Sequence, residues 1–298
     1  MKILVTGGAG FIGSHIVDYF VGMGDDVVVI DNLSSEVHEQ FYFNKRATYN
    51  YYDIADYFTT RELYDGVDYV YHLAAESRIQ PSINNPLLAV RTNTLGTATV
   101  LQCAREANVK RVIYSSTSSA YGLKNKIPLS EDMPDDCLNA YSVSKVSGEK
   151  LCEMYSRIYG LETIIFRYFN VYGEREPLKG PYAPVVGLFL RQFKNNQPLT
   201  IVPDGEQRRD FTHVEDVVGA NIRAMNCKLQ TYGQIFNVGT GVNYSVKELA
   251  DMISPNQIFI EPRIGESRET LADITKLESE FNWKPTLKIT DYIEEKLK

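Results

Sequence analysis

Residues 6–13 read TGGAGFIG and follow directly on the strand-like run KILV. A short apolar strand that meets spaced glycines and then a helical pattern restricts the backbone more than any other stretch of this chain. Gly8, Gly10 and Gly13 fit G-x-G-x-x-G, and Gly7, Gly10 and Gly13 fit G-x-x-G-x-x-G. Glycines let the main chain turn tightly and approach a pyrophosphate, whose charge then sits on the free N–H groups at the helix start, where Phe11 and Ile12 stand. Alone, such a motif is weak evidence. Here it lies between a strand and a helix, and a second strand, DVVVID, ends in Asp31, so the context predicts a dinucleotide site. Asp31, with Asn32 beside it, is expected at the adenosine ribose. A carboxylate there repels a 2′-phosphate, and NLSS (32–35) holds no Arg or Lys to neutralise one, so the sequence favours NAD over NADP. Asp53 and Ile54, after a third strand, are expected at the adenine ring, although a strand-end carboxylate in water accounts for Asp53 almost as well.

The strand and helix signals continue to alternate. Strand-like runs fall at 2–7, 26–31, 48–54, 68–75, 110–116 and 162–168, and residues 10–21, 87–107 and 141–159 have helical spacing. This order predicts an α/β fold with a doubly wound parallel sheet of the Rossmann type, covered by helices on both faces. After about Asn170 the alternation breaks and EREPLKGPYAP begins a less regular region. The expected organisation is a dinucleotide-binding domain over 1–175, to which 207–240 returns, and a smaller α/β substrate-binding lobe over 176–298.

At 298 residues the chain is long enough to bury a large core, and its net charge of −7 with no basic run argues against a nucleic-acid or anionic-membrane partner. MKILVTGG reads as a strand, not a signal peptide, and no run is apolar for the length of a bilayer. Cys103, Cys137, Cys152 and Cys227 are scattered, as thiols of a cytoplasmic protein would be. No cluster of His or Cys has ligand spacing, so no metal is expected.

Tyr141 to Lys145 read YSVSK. On a helix, positions i and i+4 share a face, so a phenol and an ammonium can meet one ligand. A nearby cation favours phenolate and lowers the phenol from its ordinary value near 10. Such a phenol can exchange a proton with an alcohol while a hydride moves to a nicotinamide, and the lysine has donors left for the nicotinamide ribose. The pair alone is common on surface helices. It gains weight from the glycine turn and from SSTSSAYG (115–122), which ends the fifth strand where open α/β sheets present ligand-facing groups.

TGGAGFIG, Asp31, HLAA (72–75), Asn93, SSTSSAYG, YSVSK, RYFNVYG (167–173) and RRDFTHVEDV (208–217) occur in that order. Together they resemble the extended short-chain dehydrogenase/reductase family, in its nucleotide-sugar epimerase/dehydratase branch, across essentially the whole chain. The resemblance implies Leu73, Ala74, Ala75 and Asn93 at the cofactor. Thr117 corresponds to the hydroxyl residue on the substrate, Tyr141 to the acid/base and Lys145 to its partner. Asn170 and Arg209 resemble groups at the sugar-nucleotide diphosphate, and Arg263 and Glu266 the pair at phosphate and nucleoside ribose. The family more often has Asp where Glu266 stands. His213 and Asn237 read as structural. The resemblance also implies a homodimer formed through 87–107 and 141–159.

Relatives that dehydrate or decarboxylate the sugar carry acids after the catalytic Ser/Thr, whereas Thr117 is followed by Ser118, Ser119 and Ala120. A 4-epimerase of UDP-sugars needs none there, and that is the expected activity. The alternatives are a UDP-glucuronate 4-epimerase, an unusual dehydratase or decarboxylase, and a non-catalytic NAD-binding relative. In related UDP-hexose 4-epimerases a residue after the Arg-x-Gly-acid motif bounds the sugar's C2 substituent. The matching position is Thr270, small enough to admit an N-acetyl group.

Overall fold

The computed structural model describes residues 1–178, 183–261 and 267–298. Seven strands form the central sheet: β1 (Lys2–Thr6), β2 (Asp26–Ile30), β3 (Thr48–Asn50), β4 (Tyr69–His72), β5 (Arg111–Thr117), β6 (Glu162–Tyr168) and β7 (Gln234–Val238). They lie in the order β7-β6-β5-β4-β1-β2-β3, and every neighbouring pair is parallel. The chain winds outward from β1 to β3, then returns beside β1 with β4 and winds the other way. The crevice at the carboxyl ends of β1 and β4 is where such a sheet binds ligands.

The burial of both sheet faces explains why its strands read as unbroken apolar runs. Ile3 and Val5 face Ile16, Val17 and Phe20 of the helix Phe11–Met23, together with Val217, Ala220 and Ala224 of the helix Val214–Asn226. Leu4, pointing the opposite way, joins Val70, Val112 and Ile165 under Val100, Leu101 and Ala104 of the helix Gly96–Glu106 and Cys152 and Tyr155 of the helix Ala140–Tyr159. Thus β7 and the helix preceding it belong to the large core, and so do Leu277 and Phe281 of the helix Thr275–Phe281 near the end of the chain. A separate cluster around Phe189, Leu199, Ile201, Leu249, Ile253 and Ile293 makes the smaller lobe.

Two elements differ from the sequence expectation. The run 48–54 forms a strand only over Thr48–Asn50, because Tyr51 and Tyr52 lie exposed beyond the sheet's edge. The segment 87–107 is not one α-helix. An α-turn at Pro86–Ala89 and a π-helical stretch at Val90–Leu95 lead into Gly96–Glu106. The wider π turn changes which side chains point inward, a device common at functional sites. Gly96 closes the packing, since a Cβ there would lie 2.6 Å from Ile54 Cδ1.

His213 caps the helix Val214–Asn226 by accepting from the Glu215 N–H at 3.2 Å. Asn237 donates to the carbonyls of Leu129 and Asp273 and accepts from the Tyr121 hydroxyl. Both are structural, as the sequence suggests. Among the described residues no helix is long and apolar enough to cross a membrane, and no group of three or more His, Cys, Asp or Glu could hold a metal ion.

Candidate functional site

A cleft of about 530 Å³ runs along the carboxyl edge of the sheet to the smaller lobe. The glycine turn forms one end of it. Gly7 has φ of 70°, and a Cβ on it would lie 2.7 Å from the Ala74 nitrogen. A Cβ on Gly13 would run into the Gly7 carbonyl. Gly10 stands at the helix start with no atom nearer than 3.4 Å to its missing Cβ. Gly7, Gly10 and Gly13 line the cleft with Phe11 and Ile12, while Gly8 instead backs onto Val29 and is absent from the wall. Of the two possible spacings, G-x-x-G-x-x-G is the one whose three glycines all line the cleft.

Asp31 and Asn32 line the same end, with Asp53, Ile54, Leu73, Ala74 and Ala75. The Asp31 carboxylate accepts from the N–H groups of Ala9 and Leu33, each at 3.0 Å. Burial pushes its carboxyl up, against those two bonds. Asp53 is held by Arg91 at 2.5 Å and by the Ala55 N–H at 2.8 Å. Bare glycine backbone at a helix start, with a fixed carboxylate across from it, has the donor set for a pyrophosphate and a ribose diol, so the residues fit a dinucleotide. Asn93 is placed differently from the expectation. It is buried behind the cleft wall, where its amide accepts from the Glu76 N–H and donates to the Glu76 carbonyl and the Ser144 hydroxyl. It braces the loop after β4 against the helix that carries Tyr141.

That helix is fixed at both ends. Asn139 and Ser142 form a reciprocal capping box at its start, and Gly160, with φ of 72°, closes its end. The Tyr141 N–H donates to Ser82 at 3.0 Å, which docks the turn 78–82 onto the helix. Tyr141, Lys145 and Thr117, from the end of β5, meet on one wall of the cleft. The Thr117 hydroxyl stands beside the Tyr141 phenol on this wall. Burial raises this phenol above its usual range, and Thr117 and then Arg78 oppose it. The sequence expectation gave that role to Lys145, so the structure corrects it. Lys145 is itself buried, which lowers its ammonium to about 7, while Glu149 one turn further on works in the other direction. Its Nζ lies 4.3 Å from the centre of the Tyr114 ring.

His72 sits beneath this pair. Thr97 gives its only proton to the Asn93 carbonyl at 2.6 Å, so it must accept from His72 Nε2 at 2.9 Å. Thr6, which already accepts from the N–H groups of Leu73 and Ala74, then donates to His72 Nδ1 at 2.7 Å. The ring is neutral, held down to about 3 by burial and by Lys145.

At the far end of the cleft stand Asn170, Arg209 and Thr270. The Asn170 amide donates to the Asp210 carbonyl at 2.9 Å and to Thr270 Oγ1 at 3.3 Å, so it supports Thr270 as well as facing the cleft. Arg208 pairs with Glu248 at 3.0 Å, leaving Arg209 as the arginine of that motif on the wall. Arg263 and Glu266 lie outside the described residues. Arg78 was not evident from the sequence. It reaches the cleft beside Tyr141 with its Nε buried and without a hydrogen-bond partner, and an arginine in a polar loop carries no signal of such a position.

Residues 3–239 match the NAD dependent epimerase/dehydratase family. The chain belongs to this family. It is 35% identical over 310 residues to a UDP-glucose 4-epimerase of Mycolicibacterium smegmatis, covering 98% of this chain and 96% of that protein. It is 38% identical over 263 residues to a UDP-N-acetyl-alpha-D-glucosaminuronate decarboxylase of Bacillus cytotoxicus, covering 85% and 79%. The crystal structure of a UDP-glucose 4-epimerase from Thermotoga maritima with UDP-glucose superimposes with a TM-score of 0.93 at 34% identity, covering 100% of this chain and 97% of that one. The glycine turn and Thr117, Tyr141 and Lys145 thus stand in an enzyme of an NAD-dependent extended short-chain dehydrogenase/reductase family.

Proposed function

We propose that the protein is a 4-epimerase of UDP-hexoses. The observation that carries this reading is the composition of the cleft wall. Beyond Thr117 it is lined by Ser118 and Ser119, and its carboxylates among the described residues are Asp31, Asp53 and Glu76, on the loops after β2, β3 and β4. An elimination from the sugar needs a carboxylate beside Thr117 and Tyr141, whereas inversion at C4 needs only a reversible proton acceptor. Bound NAD supplies the acceptor, and then the donor, of the C4 hydride. Tyr141 takes the O4 proton and returns it, Thr117 holds O4 beside the phenol, and the Lys145 ammonium has donors for the ribose. Arg209 and Asn170 face the UDP diphosphate, for which a planar guanidinium is suited.

The test is a panel of UDP-sugars incubated with purified protein and no added NADH, followed by proton NMR. Inversion at C4 with no stable keto product is the expected result. A 4-keto-6-deoxy sugar or a pentose as main product would overturn the proposal. UDP-glucuronate belongs in the panel, because the cationic Arg78 faces the cleft beside Tyr141 and would suit a C6 carboxylate.

The cofactor reading rests on Asp31. Its two backbone bonds fix the carboxylate where a ribose diol would meet it. Asp31→Ala is expected to weaken NAD binding and narrow the preference over NADP, read by calorimetric titration of both. Equal affinity of the unaltered protein for NAD and NADP would show the assignment of this strand end to be wrong.

The proposal includes a homodimer. Leu87, Val90 and Leu95 on one segment, and Val143 and Ile158 on the helix Ala140–Tyr159, are exposed apolar side chains on the two segments expected to pair. Sedimentation velocity showing a monomer at micromolar concentration would remove this part of it.

A further inference from the structure

Glu149 is fully buried, one helical turn beyond Lys145 and two beyond Tyr141. A buried carboxylate costs several kcal/mol unless it is paired and hydrogen-bonded. Here it is both. Arg167 donates from Nε to Oε1 at 2.9 Å and from Nη2 to Oε2 at 2.6 Å, and Ser116 donates to Oε1 at 2.5 Å. Arg167 lies on β6, and Ser116 is the residue before Thr117 on β5. Arg167 also reaches Asp135 at 2.5 Å and lies over the Tyr121 ring at 4.6 Å. One carboxylate therefore ties the helix that carries Tyr141 and Lys145 to the strand that ends in Thr117, and to the next strand in the sheet.

The same carboxylate is the anion that acts most strongly on a buried ammonium. Lys145 is faced by Glu149 and Cys152 from its own helix, by neutral His72 from β4 and by the Tyr114 ring from β5. Burial raises the Cys152 thiol, so it stays protonated and brings no charge. Glu149 is faced in turn by Arg167 from β6, by Ser116 and the Tyr114 phenol from β5, and by Cys137 from the segment before the helix. Among these, Glu149 supplies the negative charge that offsets the burial of Lys145.

We propose that Glu149 is a positioning residue for the reaction, keeping Lys145 protonated and holding Thr117 in register with Tyr141. The proposal rests on Thr117, Tyr141 and Lys145 being the reacting group of the cleft. With Glu149 present the Lys145 ammonium already sits at about 7. Replacing that anion with a neutral isostere lowers it further, and the Arg167 charge, freed from its partner, pushes the same way. Lys145 then loses its proton below neutral pH, and with it the charge and a donor that it presents to the nicotinamide ribose.

The test compares the unaltered protein with Glu149→Gln, Glu149→Asp and the double variant Glu149→Gln/Arg167→Met. The double variant removes both members of the buried pair, a change that proteins often tolerate, so it separates folding from electrostatics. NAD affinity is measured by calorimetry from about pH 5.5 to about pH 8.5, with no sugar present, and the pH profile of turnover is measured beside it. In Glu149→Gln and in the double variant, the pH at which NAD affinity falls is expected to move down by at least about one unit, and turnover at neutral pH to drop at least about tenfold. Glu149→Asp, which keeps the charge, is expected to restore the midpoint. A folded double variant whose NAD profile overlays that of the unaltered protein would overturn the proposal, as would a Glu149→Asp profile displaced as far as that of Glu149→Gln. Because the binding profile uses no sugar, it decides the role of Glu149 even if no UDP-sugar in the panel is epimerised.

Discussion

Tyr141→Phe leaves the fold and NAD binding in place and lowers turnover by at least about 10²-fold, the scale on which a positioned acid/base contributes. The structure explains why the loss is confined to chemistry. Tyr141 anchors the turn 78–82 through its main-chain N–H to Ser82, and the helix start is held by Asn139 and Ser142, so none of these bonds uses the phenol. The phenylalanine ring keeps the packing. What disappears is a hydroxyl beside Thr117, which still has the Ser119 N–H at 3.1 Å. The proton on the sugar's O4 then has no acceptor, because Lys145 on the same wall is an ammonium without a free lone pair and His72 is tied at both nitrogens. The comparison requires the melting temperature, NAD affinity and turnover of both proteins. Near-normal turnover by a folded Tyr141→Phe protein that binds NAD would mean that another group is the base, with Glu76 the first to examine since it lines the same cleft.

Much of this architecture was legible because the physics that forms it acts on consecutive residues. The strands β1, β2, β4, β5 and β6 are buried on both faces, so each reads as a β-branched or aromatic run without waiting for tertiary context. The glycine turn, Asp31 and the YSVSK helix announce themselves for the same reason. What was hidden depends on three dimensions. The choice between Gly7 and Gly8 turns on which of them faces the cleft, since a Cβ on either would strike a residue distant in sequence, Ala74 or Val29. Asn93 could not be placed from spacing, because the π-helical turn alters the periodicity that carries it inward. Glu149 falls four residues after Lys145, which from sequence looks like a pair on a solvated helix face. Only the docking of β5 and β6 against that helix buries it and supplies Arg167. Arg78 is the mirror case, a charge in a polar loop that the fold turns into a wall of the cleft.

The sugar itself is decided, in our reading, at Thr270. Thr270→Tyr is expected to suppress turnover of UDP-N-acetylglucosamine and UDP-N-acetylgalactosamine at least about tenfold, while UDP-glucose and UDP-galactose keep most of theirs. Even one methylene in a hydrophobic pocket is worth about 10–200-fold, and an acetamido group is larger. Thr270 lies on the cleft wall but is only 7% exposed. Its Oγ1 accepts from the Asn170 amide at 3.3 Å and the Asp210 N–H at 3.4 Å, and its own N–H is bonded to the Arg208 carbonyl. Asn243 closes the other side by donating to its carbonyl at 3.3 Å. A tyrosine ring finds no room among these neighbours, so it must project into the cleft and take the volume that an N-acetyl group would fill. Two effects need separating, since the substitution also removes the hydroxyl that steadies Asn170. Thr270→Val does that, because it keeps the volume and loses only the hydroxyl, and it is expected to slow both sugar pairs alike and modestly. The selectivity of Thr270→Tyr relative to Thr270→Val therefore isolates the space. Equal losses on both pairs, or no loss on either, would take Thr270 out of the specificity argument and shift attention to the serines after Thr117.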